Sequence, residues 1–214
     1  MKNIITFILT IILSLFVISC IKTKKNYYDT GKLKSEINMK GKKYNGTATW
    51  YYSNGLKQHE CNYVNDTLQG RSTRWYNNGK IQSVEHYKDN HLNGRVTTFD
   101  FNGKKVSEEN YHLNTLHGSF FQYYTSGQVQ IQGSYNKGMY DGQWFYYEDD
   151  GTIVGIGEYK NGAGKQRAWY RSGPFKRVII FLDNEKHGKE IWYKPDGSVD
   201  KYLVYEHGEL ISTD

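Results

Sequence analysis

The sequence predicts an all-β protein, an elongated single-sheet repeat array of antiparallel β-hairpins with a period of 24 residues, and three observations carry that prediction. A turn dipeptide recurs at Asn54-Gly55, Asn78-Gly79, Asn102-Gly103, Ser126-Gly127, Asp150-Gly151, Ser172-Gly173 and Asp196-Gly197, with successive glycines 24 residues apart except for one step of 22. An aromatic stands four residues before each of these glycines (Tyr51, Trp75, Phe99, Tyr123, Tyr147, Trp169, Tyr193), and another stands eight residues after (Tyr63, Tyr87, Tyr111, Tyr135, Tyr159, Phe181, Tyr205). A second set of glycines, Gly46, Gly70, Gly94, Gly118, Gly142, Gly164 and Gly188, lies nine residues before the turn glycine. A short fixed period means stacked supersecondary units, each too small to bury its own apolar face.

Taken in chain order, the first segment is an address. Lys2 precedes an apolar run from Ile4 to Ile18, and Val17-Ile18-Ser19-Cys20 resembles a lipobox, cut before a cysteine that carries a diacylglycerol group. The run is short for a membrane-spanning helix. Residues 1–19 are therefore expected as a lipoprotein signal peptide, with Cys20 the lipidation site and the array held at the cell envelope, periplasmic or surface-facing. Residues 20–27 read as a membrane-proximal basic linker carrying Lys22, Lys24 and Lys25. Residues 28–45 read as a partial capping repeat around Gly31, with Leu33, Ile37 and Met39 but no aromatic in its first strand. Residues 46–212 hold seven hairpin repeats.

Within a repeat, aromatic and β-branched runs flank Asn-Gly, Asp-Gly or Ser-Gly, whose φ > 0 suits the twist of paired strands. Val129, Ile131 and Tyr135 share a face at period two, as do Phe175, Ile179 and Phe181. The second glycine set is expected to join one hairpin to the next, over Tyr44, Leu68, Leu92, Leu116 and Tyr140. The recurring aromatics read as cross-strand ladders. Trp50, Trp144 and Trp192 stand off the period and are candidates to face a partner. Two strands per unit at about 4.8 Å spacing give a sheet roughly 70 Å long.

The pattern, written here as Gly-x4-Tyr/Trp-Tyr-x-Asn-Gly and clearest in Gly46 to Gly70 and Gly118 to Gly142, resembles the bacterial variant of the MORN repeat over about residues 28–212. Similar chains are named as YwqK-type antitoxins or membrane-binding proteins, and MORN arrays elsewhere act as scaffolds or contact lipids. The resemblance therefore implies a β-repeat fold and a binding, scaffold or antitoxin role. Phe99-Asp100 and Tyr147-Glu148 depart from the paired-aromatic pattern.

Charge points away from nucleic acid. The formal net charge is +6, yet residues 22–43 alone hold eight lysines against Asp29 and Glu36, which leaves the array from Tyr44 onward slightly acidic. Lysines beside an anionic leaflet would supplement a lipid anchor. Inside the array, Lys165, Arg167, Arg171, Lys176 and Arg177 form one basic cluster with no acid between Lys165 and Arg177. Lys165, Arg167, Trp169 and Arg171 alternate and are expected on one strand face, where they could hold an acidic protein, a phospholipid head group or a cell-wall polymer. These residues are the candidate partner-binding site.

No nucleophile elbow, phosphate-cradling loop or paired-histidine metal motif occurs, and no cofactor is implied. His91 and His117 are expected at adjacent connections, too few for a metal site. Glu108 and Glu109 should face opposite ways, which does not suit shared acid–base work. With Cys20 acylated, Cys61 is a lone thiol in a strand and forms no internal disulfide. The expected role is non-catalytic binding of a protein or envelope polymer, with edge-to-edge pairing of two arrays open to exposed end strands.

Overall fold

The computed structural model describes residues 21–213. The chain runs up and down through β1 (Ile21–Tyr27), β2 (Leu33–Lys40), β3 (Lys43–Tyr51), β4 (Lys57–Val64), β5 (Thr67–Trp75) and β6 (Ile81–Lys88), then β7 (His91–Leu92), β8 (Gly94–Phe99), β9 (Lys105–His112), β10 (Thr115–Tyr123), β11 (Val129–Asn136) and β12 (Met139–Tyr147). It continues through β13 (Ile153–Lys160), β14 (Ala163–Trp169), β15 (Phe175–Leu182), β16 (Glu185–Lys186), β17 (Gly188–Tyr193), β18 (Val199–Glu206) and β19 (Glu209–Thr213). All pairings are antiparallel and link strands that follow one another in sequence, so the described residues form one open meander. β7–β8 and β16–β17 are each one strand interrupted by a single residue, Asn93 and His187.

The expected hairpin turns form one rim. At Tyr52–Leu56 the Tyr52 N–H donates to the Leu56 carbonyl and the Gly55 N–H to the Tyr52 carbonyl, both at 2.8 Å, and the pattern repeats at each turn glycine. The other rim differs from expectation. Its turns are the dipeptides Asn65-Asp66, Asp89-Asn90, Leu113-Asn114, Lys137-Gly138, Asn161-Gly162, Asp183-Asn184 and His207-Gly208, with φ > 0 at both residues, the two-residue hairpin geometry that right-handed strand twist favours. The second glycine set is not the connection. Gly46, Gly70, Gly118 and Gly142 lie inside strands, at positive φ, where the ladder skips two residues in a β-bulge.

That bulge explains the irregular spacing. Between β13 and β14 the register runs unbroken from Gly155↔Ala168 to Lys160↔Ala163. The repeat that is two residues short is the one without the bulge.

Each rim is clasped from repeat to repeat. At the tight turns, the Asn90 N–H donates to the Leu68 carbonyl (3.1 Å) while the Asn90 side-chain oxygen accepts from the Leu68 N–H (2.7 Å). Asp66 grips Tyr44 and Asn114 grips Leu92 in the same way. Where the turn carries glycine the side chain is missing, and Asn184 reaches across two turns instead, accepting from the Tyr140 N–H (2.7 Å) and donating to the Gly138 carbonyl (2.8 Å). At the other rim the second aromatic of the pair is a strut: the Tyr52 hydroxyl donates to the Trp75 carbonyl (2.7 Å), Tyr76 to Phe99 (2.8 Å), Tyr124 to Tyr147 (2.7 Å) and Tyr170 to Tyr193 (2.8 Å). Tyr28 makes the same bond to Tyr51, at 2.5 Å.

Residues 20–27 therefore differ from the linker reading. Residues 21–27 are β1, paired with β2 from Ile21↔Lys40 onward, and Tyr27 supplies the aromatic four residues before Gly31. The partial capping repeat is a full hairpin.

No second layer covers the sheet among the described residues, yet one face is largely buried. Ile37, Ala48, Cys61, Ser72, Val96, Trp144, Gln166, Ile179 and Glu190 are all buried and follow one another across its middle. Large neighbours on the same face do the covering. Met39, Tyr44, Trp50, Tyr63 and Leu68 pack over Ile37, Ala48 and Cys61. Farther along, Trp144 lies flat over Gly133, where an added Cβ would stand 2.1 Å from the indole, and Tyr159 lies over Gly157. Phe120 stacks on Trp144 at 5.5 Å. Trp144 is thus core rather than a partner-facing residue, and Trp50 stacks on His59 at 5.2 Å. Burial pushes the Cys61 thiol up, which suits an inert packing residue.

The two aromatic rows face opposite ways. Tyr87 and Tyr111 lie on the covered face, where Ser83 and Tyr87 both donate to Glu85 and Ser107 and Tyr111 both donate to Glu109. Tyr123 lies on the open face and donates to Glu108 (2.9 Å), so Glu108 and Glu109 diverge as expected. Burial, then the hydrogen bond to a carboxylate, pushes Tyr87 and Tyr123 up to about 12.

Tyr52→Phe and Tyr124→Phe should each lower stability by about 0.5–1.5 kcal/mol, and the double variant by about the sum, because the struts share no partner; urea denaturation followed by far-UV circular dichroism reads both. Tyr87 and Tyr123 stay protonated in the folded sheet above the ordinary phenol range. Their contribution is whole below about 10 and is lost as pH rises toward about 12, so tyrosinate absorbance should appear together with loss of β signal in that window.

Candidate functional site

The basic cluster does not assemble as one strip. Lys165 and Arg167 share the open face of β14, opposite Glu158 and Ile156 on β13. Gln166 and Ala168 take the covered face. At Ala168/Trp169 the register shifts, and the Trp169 ring stacks on Phe175 at 5.6 Å. Arg171 leaves the strand for the turn. Acids absent from the local sequence arrive from neighbouring elements: Glu158 meets Arg167 at 3.3 Å, Asp150 meets Arg171, and Glu190 meets Arg177 at 3.7 Å. Lys176 sits 5.8 Å over the Tyr170 ring. The cluster is divided between two faces and a rim, and each of its arginines is paired.

Three of the expected residues nonetheless reach one notch. Lys176 and Arg177 meet Tyr146, Glu148 and Gln166 around a cavity of about 150 Å³ on the covered face, beside the strut rim, and Trp169 touches its border while its ring stacks on Phe175 toward the open face. Two features open it. Gly155 and Ala168 put almost no side chain on its floor, and Glu148 stands where other repeats carry the strut tyrosine. Gln166 is 8% exposed, and no hydrogen bond to its amide occurs among the described residues. Arg177 is held from behind by Glu190 and lies 5.1 Å over the Trp192 ring. Glu190 itself is 1% exposed, accepts from Lys186 at 2.7 Å, and leaves Oε1 without a hydrogen bond.

A second, larger notch of about 580 Å³ repeats the construction on the same face and rim. Ser83 and Thr98 form its floor, Arg74 and Glu85 one wall, Tyr76 and Phe101 are its aromatics, and Asp100 replaces the strut tyrosine. Arg74 lies 3.9 Å from Glu85. The Asp100 carboxylate accepts from the Asn102 and Lys104 N–H groups, which fixes it at the lip.

Elsewhere the expectations part. Lys22, Lys24 and Lys25 lie along β1, and Lys25 pairs with Glu36 at 3.0 Å. Cys20 and the signal segment lie outside the described residues. The histidines that approach one another are His112 with His117 (6.2 Å) and His187 with His207 (5.5 Å), not His91 with His117. No cluster of metal-ligating side chains occurs among the described residues. Sequence reasoning missed Gln166, Glu190 and both notches, although the replacement of tyrosine by Asp100 and Glu148 was the signal for them.

A one-layer meander built from repeated hairpins, clasped at both rims and notched on one face, defines an open β-repeat array with surfaces for binding. The MORN repeat variant family matches residues 23–40, 44–65, 68–89, 92–112, 116–137 and 140–161, more than half of the chain, and the chain belongs to that family. Its repeats are generally binding or scaffold modules. No curated protein matches the chain.

Glu190→Ala strips Lys186 and Arg177 of their shared carboxylate. Both cations are about a third exposed and partly rehydrate, so the loss should be about 1–3 kcal/mol rather than the larger cost of a sealed pair; the urea midpoint, with Glu190→Gln as the milder comparison, checks it.

Proposed function

We propose that this chain is a non-catalytic binding module, held at a bacterial cell envelope by a lipid on Cys20, whose array engages a protein or envelope polymer. One observation carries the binding role: among the described residues the sheet is a single layer with no element packed on either face, so a partner can reach both. Among the described residues, Glu85, Glu108, Glu109 and Glu190 are committed to structural tyrosines and lysines rather than set as an acid–base pair. The anchor reading rests on the apolar run from Ile4 to Ile18 ahead of Cys20, and on the basic strand that follows. β1 begins at Ile21, so a lipid on Cys20 would set the lysine-bearing edge strand directly against the head groups, where each unpaired lysine contributes about 1 kcal/mol. Neutralisation of an imported toxin, which the likeness to YwqK-type antitoxins suggests, and direct lipid contact by the array are the competing readings.

Cys20→Ala should move the protein from the membrane to the soluble fraction and abolish labelling by an alkyne fatty acid, whereas retention and labelling of the variant would sink the anchor. Cross-linking in cells with mass spectrometry separates the rest: an envelope protein or polymer supports the module, a co-captured toxin favours the inhibitor, and lipids alone favour membrane contact.

A further inference from the structure

We propose that the two notches are subsites for a neutral glycan chain lying along the strut rim of the covered face. The inference rests on reading the array as a binding module and not on where the protein resides.

Both notches bring the same chemistry together. Each has a small-residue floor, an aromatic wall (Tyr76 and Phe101 in one, Tyr146 in the other), and planar polar groups at its edges. Guanidinium, carboxylate and carboxamide groups each present two atoms in a plane, which suits neighbouring hydroxyls on a sugar ring, and the apolar C–H face of the ring suits an aromatic. Gln166 adds a buried amide with both ends uncommitted, aimed into the smaller notch. Asp100 and Glu148 lie two repeats apart, hence about 19 Å at four strand spacings, within reach of one extended oligomer.

The alternatives fit less well. A phosphate or lipid head group needs net positive charge, but Arg74 and Arg177 already face Glu85 and Glu190, and each notch adds an acid at its lip. A peptide strand needs free backbone hydrogen bonds, whereas these notches open on a sheet face whose ladder is used. An acyl chain needs a deep apolar cavity, and these are shallow and polar-edged.

The repeats themselves supply the decisive variant. Asp100→Tyr with Glu148→Tyr installs at both lips the strut that Tyr28, Tyr52, Tyr76, Tyr124 and Tyr170 make elsewhere, so it closes the notches while adding a native contact. The full chain in detergent is titrated with neutral hexasaccharides of glucose, mannose, galactose and N-acetylglucosamine, with a galacturonate oligomer and inorganic phosphate as anionic comparators, using saturation-transfer NMR and calorimetry. The expected result is binding of at least one neutral oligomer, weakened about tenfold or more by Phe101→Ala and by the double tyrosine variant, with the thermal midpoint of the latter unchanged or raised. No neutral oligomer binding at millimolar concentration, equal binding by the tyrosine variant, or preference for the anions overturns the proposal. A protein partner captured in cells by both wild type and the tyrosine variant would leave the binding module standing while removing the glycan from it.

Discussion

A sheet one layer thick must keep water off its own apolar side chains without a second sheet or a helix to do it. In this protein the cover comes from the sheet's own side chains, laid flat. Glycine makes room: Trp144 and Tyr159 rest over Gly133 and Gly157, positions where any Cβ would collide with the ring. Where the middle row instead holds Ile37, Ala48 and Cys61, long neighbours on either side close over it. Polar members of that row, Glu85, Glu109 and Glu190, are tolerated because serine, tyrosine or lysine donors stand within reach on the same strand. Burial without thickness leaves little margin in any one repeat, which is why the repeats must be tied together.

The ties are at the edges. A meander already links neighbours through its ladder, but the two rims add bonds that skip a strand and join like turn to like turn. On one rim an asparagine or aspartate accepts from the backbone that its own N–H donates back to; on the other a tyrosine crosses to the next repeat's carbonyl. Each such bond is modest, about 0.5–1.5 kcal/mol, but it acts between units whose stability is close to a sum of nearest-neighbour terms. Loss of a strut is therefore local, and the array can give one up to make a notch.

Strand content, period, antiparallel pairing and the face assignments of Ile131, Tyr135, Glu108 and Glu109 were legible because turn chemistry and two-residue alternation are local signals. What misled was the weight given to glycine. The Gly46 set looked like a connection, while the tight turns were written less conspicuously as Asn65-Asp66 or Leu113-Asn114. Tyr27 was overlooked because the basic residues around it suggested a spacer, although the strand pattern had already begun. The candidate site was half legible. Lys176 and Arg177 do meet, but no local reading could show that Asp150, Glu158 and Glu190 arrive from other strands to neutralise the arginines. Partners set by register across strands are invisible to a reading along one strand.

The short repeat has a further consequence. A bulge adds local twist to the strand that carries it, and the clean ladder between β13 and β14 is a junction without one. The array is accordingly not a uniform screw but two stretches set out of phase by one less twisted junction near Gly155 and Gly164. A rigid partner that keeps step with the repeats on one side falls out of phase on the other, so the junction acts as a ruler's end mark, limiting how long a stiff, periodic ligand can stay in register.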